Sequence, residues 1–224
     1  MKNNKSVHVV CILDKSGSMS RLTASVISNF NNFIDEQRKE EGKAFLTLIL
    51  FDTTFKTIYN RVDINDVKHI DSKTYSAGGG TAMYDAVGSA IDTITDKNTL
   101  MLIQTDGQEN SSRTYNKDKV MNMILEKEDI GWDFLFMGAN IDTGKEGSKM
   151  GLRNKSVSFQ ANDMGIQDSF MGMGDKAKHY RYMKERDDNY KPPKDSELGS
   201  KGKSNKDKGP KLKWDKKSGQ YKLA

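Results

Sequence analysis

The sequence predicts an α/β protein with a doubly wound, mostly parallel sheet, one antiparallel edge strand and helices on both faces. Three observations carry this prediction. Strand-length apolar runs such as VHVVCIL (7–13) and TLMLIQT (99–105) lack a clear polar alternation, as strands buried on both faces do. Between such runs lie segments whose apolar residues recur at helical spacing. Regular alternation of the two is the pattern of a sheet layered between helices.

The elements follow in order. After the run at 7–13, Leu22, Val26, Phe30, Phe33 and Ile34 mark an amphipathic helix over about 22–40, ended by Gly42. AFLTLILFD is a second buried strand, and TTFKTIYNRV alternates as an antiparallel edge strand does. SAGGGTAMYDAVGSAIDTI reads as a glycine loop and then a helix. TLMLIQTDG is a buried strand ending in aspartate, and Val120, Met123, Ile124 and Lys127 mark a helix over 116–129. WDFLFMGAN is a strand, 144–151 a short glycine-punctuated segment, and SVSFQA the last strand. A helix over about 163–186 closes the domain, with Gly172 and Gly174 expected to break it. No phosphate loop is expected at those glycines, because no suitable helix and lysine follow.

Of the 224 residues 30% are charged, and no apolar run approaches the roughly 20 residues that span a bilayer. The N-terminus lacks the small-residue cleavage pattern of a secretory signal. The single cysteine, Cys11, has no internal partner and sits in an apolar run. A reducing, cytoplasmic setting and a buried, inert thiol are therefore expected. The net charge of +5 is concentrated in the last segment. All three prolines fall after Asp188 among many lysines and few apolar residues. This divides the chain into a domain over 1–187 and a flexible basic tail over 188–224.

Ligands of doubly wound sheets sit beyond the carboxyl ends of the strands. Asp14 follows the first strand and Asp106 the strand at 99–105, so parallel pairing puts both carboxylates at one edge. The GGGTAM stretch leads into a helix and places Thr81 on the same rim, while Ser16 and Ser18 follow Asp14. Two carboxylates and three hydroxyls are hard oxygen donors, with no His or Cys among them. That set favours Mg²⁺ first and Mn²⁺ second over zinc. Gly17 and the glycines at 78–80 allow the tight turns a close approach needs.

Asp14-Lys-Ser16-Gly-Ser18, the later Gly-Gly-Thr81 and Thr105-Asp106-Gly107 together resemble the three-part metal-ion-dependent adhesion site of von Willebrand factor A domains. Any one part alone is a weak signal; all three in order at strand ends are specific. The resemblance covers about residues 5–186, and MGANIDTGKEGSKMGL looks like small bacterial and phage members. It implies a Rossmann-like sheet and direct Mg²⁺ ligation by Ser16 and Ser18. It implies ligation by Thr81 and Asp106, directly or through water, and a mostly water-mediated and loop-orienting role for Asp14. It also implies a partner protein whose Asp or Glu completes the metal's shell, an AAA+ ATPase being one candidate by family analogy. The site thus reads as a docking post and the protein as a non-enzyme.

Two rival readings follow from the residues. A Mg²⁺-dependent phosphohydrolase of the haloacid dehalogenase type needs an acid two positions after Asp14, where Ser16 stands. A nucleic-acid-associated protein would use the basic tail. In that tail LKWDKKSGQYK suits a short hairpin, with Trp214 and Tyr221 placed to dock or to stack on a base. Asp52, also at a strand end, is open to a supporting role behind the metal ligands, and a turn-forming role is the expectation favoured. His8, His69 and His179 are scattered and carry no assigned chemistry, and Met19, Met83 and Met101 are expected to fill the core.

Overall fold

The computed structural model describes residues 6–194, 198, 212–215 and 220–223. Six strands form one sheet in the order β3-β2-β1-β4-β5-β6. They are β1 (Ser6–Asp14), β2 (Lys43–Phe51), β3 (Phe55–Asp63), β4 (Thr99–Thr105), β5 (Asp133–Ala139) and β6 (Ser156–Phe159). Only β3 runs antiparallel to its neighbour, and it lies at an edge, as its alternating sequence predicts. The helices are α1 (Thr23–Lys39), α2 (Met83–Thr93), α3 (Lys117–Asp129), α4 (Thr143–Lys149) and α5 (Asp163–Arg186). A 3₁₀ turn, Gly17–Leu22, precedes α1.

Strand alternation sorts the core into two layers. Val7, Val9, Cys11 and Leu13 pack with Phe30, Phe33, Phe170 and Met173 of α1 and α5. Val10 and Ile12 point the other way, toward Val87, Ile91, Val120 and Ile124 of α2 and α3. Cys11 is buried, and burial pushes its thiol far above the usual range, as expected of an inert cysteine. Met19, Met83 and Met101 are core residues, as expected.

One expectation is overturned. Gly172 and Gly174 do not break the last helix; α5 is continuous over 24 residues. Each glycine costs a helix roughly 1 kcal/mol against alanine. Against that stands the stripe Ile166, Phe170, Met173, Ala177 and Tyr180, all buried at helical spacing. Gly174 faces α1 with room to spare, since a Cβ there would meet Phe33 only at an ordinary contact distance of 3.9 Å. Arg181 then caps the end of α1, donating to the carbonyls of Gln37, Glu40 and Gly42 at 2.6, 2.9 and 2.9 Å. The segment at 144–151 contains a short helix, α4, capped by Asp142.

Residues 187–194 run back against the domain. Pro192 is buried, Tyr190 packs on the core, Lys191 donates to the Asp129 carbonyl at 2.7 Å, and Lys194 pairs with the Asp129 carboxylate. Further on, Leu212–Asp215 and Gln220–Leu223 form a two-stranded antiparallel hairpin, β7 and β8, with Trp214 opposite Tyr221. That pairing agrees with the hairpin read from the sequence, whose Lys-Ser-Gly turn lies outside the described residues. The rest of the stretch from 195 onward, except 198, lies outside the described residues.

Candidate metal centre

Parallel pairing sets the geometry. β1 lies between β2 and β4, with Leu13 level with Gln104 and Asp14 level with Phe51. Asp14 and Asp106 therefore leave adjacent strands at the same edge. Three loops meet there and are joined through their backbones. Gly17 N–H donates to Gly79 O at 3.0 Å, Gly78 N–H to Lys15 O at 2.8 Å, and Asn110 N–H to Thr81 O at 3.0 Å. Gly79 has φ +75°, a conformation that favours glycine.

The five residues singled out in the sequence lie together. Asp14 Oδ1 accepts the Ser16 N–H at 2.7 Å. Ser18 donates its hydroxyl to Asp106 Oδ1 at 2.5 Å. Having given its one proton to Asp106, Ser18 receives that of Ser16 across 3.2 Å. Thr81 faces the same space. A Cβ built on Gly107 would lie 2.9 Å from Thr81 Oγ1 and 3.7 Å from both Asp14 Oδ2 and Ser16 Oγ. Three oxygens from two loops thus face one point, and the bare Gly107 of the third loop keeps it clear. Asp14, Ser16, Thr81 and Asp106 are buried, and Ser18 is exposed at the mouth.

Electrostatics fits a cation. Burial raises the Asp14 carboxyl to about 6, against hydrogen bonds from Thr105 and Ser16, with the nearby Asp106 charge adding to the rise. Burial also raises Asp106, opposed by Ser18 and Arg21. Both carboxylates would be relieved by a positive charge between them. Among the described residues no three His, Cys, Asp or Glu side chains cluster as a metal site. The donor set here is mostly hydroxyl, as the sequence indicates. Asp52 stands apart from it: it accepts the Thr54 N–H at 2.9 Å, as a turn former, and pairs with Lys15.

Several supporting residues escaped the sequence reading. Thr105 donates to Asp14 Oδ2 at 2.5 Å and accepts the Gly107 N–H at 3.1 Å. Tyr75 donates to the Asp14 carbonyl at 2.5 Å from a loop 61 positions away. Asn110 Oδ1 accepts the Thr81 N–H at 2.9 Å, and Glu109 Oε2 accepts the Tyr84 N–H at the start of α2 at 2.9 Å. Only the position of Thr105 inside the TDG stretch offered a local signal. The other contacts depend on tertiary structure.

A family model described as VWA domain containing CoxE-like protein matches residues 1–129. A search of curated proteins found no match. Among solved structures, proximal thread matrix protein 1 of the mussel byssus with a zinc-occupied MIDAS motif is 13% identical, with a TM-score of 0.59 over 80% of this chain and 47% of that one. A von Willebrand factor type A structure from Catenulispora acidiphila is 17% identical, with a TM-score of 0.54 over 76% of this chain and 42% of that one. The pilus adhesin SpaC of Lactobacillus rhamnosus GG is 14% identical, with a TM-score of 0.61 over 80% of this chain and 31% of that one. At these identities the likeness is one of fold, and this chain spans less than half the length of each.

Proposed function

The chain belongs to the family of VWA domain containing CoxE-like proteins, and from that premise we propose that its oxygen cluster holds a divalent cation and docks an acidic side chain of a partner protein. The observation that carries this reading is the convergence of Asp14 Oδ2, Ser16 Oγ and Thr81 Oγ1 around the space beside Gly107. Ser18 and Asp106 complete the set. Hard oxygen donors in this number suit Mg²⁺, with Mn²⁺ as the alternative. The zinc in the mussel relative belongs to that protein, and Zn²⁺ is a natural competitor in any test here.

A cation held mainly by hydroxyls keeps much of its charge and would attract a carboxylate at an open position. The chain's own residues do the rest. Thr105 and the Ser16 N–H hold Asp14 in place, and Asn110 fixes the backbone of Thr81. Ser18, exposed at the mouth, marks the side from which a partner approaches. The reading is non-catalytic: Ser16 stands where a phosphohydrolase of the considered type needs an acid.

The test is a titration with Mg²⁺, Mn²⁺ and Zn²⁺ by calorimetry, with melting curves in metal and in EDTA. At a metal concentration of ~100 times Kd the native state should gain about 2.7 kcal/mol. Asp106→Ala or Ser16→Ala should abolish binding in a chain that still folds, and Asp52→Ala should leave it. Capture of a protein from the native host in Mg²⁺ but not EDTA, and not by Asp106→Ala bait, would identify the partner. Melting curves indifferent to every metal and to EDTA, with no binding heat, would overturn the reading.

A further inference from the structure

The mouth of the metal centre carries two basic residues in unlike states. Lys15 is held in an ion pair with Asp52. Arg21 is exposed and close enough for its charge to act on Asp106, but among the described residues its side chain forms no ion pair or hydrogen bond. Its position is nevertheless fixed. Arg21 belongs to the 3₁₀ turn Gly17–Leu22, which is anchored by Met19 and Leu22, 0% and 3% exposed, and closed by Ser20 donating to Gly17 O at 2.7 Å. Side chains three apart in a 3₁₀ turn eclipse one another. Arg21 therefore stands on the same face as Ser18, the exposed hydroxyl that donates to Asp106.

We infer that Arg21 is the counter-charge for the docked acid: its guanidinium grips the Asp or Glu side chain that a partner brings to the metal centre. This rests on the docking reading above. The charges argue for it. A dication is balanced by ionised Asp14 and Asp106, so an arriving carboxylate leaves one unbalanced negative charge in a largely buried site. Arg21 supplies the one positive charge that restores neutrality. Its planar fork of donors matches a carboxylate in two parallel hydrogen bonds, which an ammonium does not reproduce. A neutral amide ligand gains nothing from it. The partner feature selected is thus an exposed acidic side chain, discriminated from its Gln or Asn counterpart by Arg21 as well as by the metal.

The experiment uses the full chain saturated with Mn²⁺, titrated by calorimetry with acetyl-Gly-Glu-Gly-amide and its Gln counterpart. The wild type should take the Glu peptide in preference. Arg21→Ala should weaken Glu-peptide binding by about tenfold or more while retaining Mn²⁺ affinity, since a full charge-assisted contact is lost and no donor of the cluster is touched. Arg21→Lys should fall between the two. Undiminished Glu-peptide binding in Arg21→Ala would overturn the role of Arg21 and leave the docking reading standing. Loss of Mn²⁺ affinity in Arg21→Ala would overturn it by making Arg21 a support of the serine loop. A wild type that binds no Mn²⁺, or binds Mn²⁺ but no Glu peptide, would overturn both.

Discussion

Thr105 donates its hydroxyl to Asp14 at 2.5 Å across the boundary between β4 and β1. Neither group is solvent-exposed; the Ser16 N–H serves Asp14 Oδ1, so Thr105 is what satisfies Oδ2. Thr105→Val keeps the shape and removes the donor. Stability should fall by about 1–3 kcal/mol, the cost of leaving a buried acceptor short of a partner. Metal affinity should fall with it, and Thr105→Ser should restore both. Urea unfolding and metal titration of the three proteins check this.

Gly107→Ala tests the cradle directly. The added methyl would lie 2.9 Å from Thr81 Oγ1, in the space the three oxygens surround. Metal binding should be lost, while the fold, judged by circular dichroism and a cooperative melt, survives. Retained affinity in a folded Gly107→Ala protein would show that the cation lies elsewhere.

His8 should impose an acid limit on stability. It is buried at the opposite end of β1, with Nδ1 3.0 Å from Asp96 and Nε2 2.8 Å from Thr47 Oγ1. Burial lowers its pKa, opposed by Asp96 and reinforced by Arg61. The neutral ring then donates from Nδ1 to the carboxylate and accepts the Thr47 hydroxyl at Nε2. With a depressed native pKa, the contribution of His8 is fully present above the unfolded value of about 6.5 and is lost as pH falls through it. The slope is at most about 1.4 kcal/mol per pH unit. His8→Gln should flatten the wild-type curve of stability against pH below about 6.5. The difference between the two proteins cancels titrating groups remote from His8, such as Asp14 and His179; Asp96, which pairs with His8, is held below the usual carboxylate range in part by that contact and adds its own acid-side change.

Truncation should find two different boundaries. Ending the chain after Arg186 removes buried Pro192 and the ties of Lys191 and Lys194 to Asp129. It should lower stability by about 1–3 kcal/mol. Ending it after Lys194 keeps those contacts and should leave both the melting temperature and metal affinity unchanged. Melting curves of the two truncated proteins and the full chain separate these outcomes.

The sheet was legible because its strands are buried on both faces, so residues 7–13 and 99–105 carry their signal in composition alone. The five candidate ligands were legible as a group because each lies in a short motif, Asp14 to Ser18 and Asp106 after strands and Thr81 in the glycine stretch before α2. Tyr75 and Asn110 were not, since their roles arise from contacts 61 and 29 positions away. Gly172 and Gly174 misled for the same reason: intrinsic propensity favours a break, and the buried apolar stripe of α5 packed with α1 outweighs it. Lys155 shows the limit from the polar side. It is 5% exposed and lies 2.5 Å from Glu128 and 3.0 Å from Asp133, a buried ion group that charge counting assigns to the surface.

Ser18 and Asp106 touch although 88 positions separate them, and this gives the centre a kinetic meaning. The pocket exists only after β1 and β4 have paired and the loop bearing Thr81 has settled between them. Closure over such a span is a non-local event, completed after the local helices form. A cation that recognises only the finished arrangement acts beyond the folding barrier. It should slow unfolding and leave the folding rate unchanged, so that the loaded chain differs from the bare one in its lifetime and not in the speed of its birth.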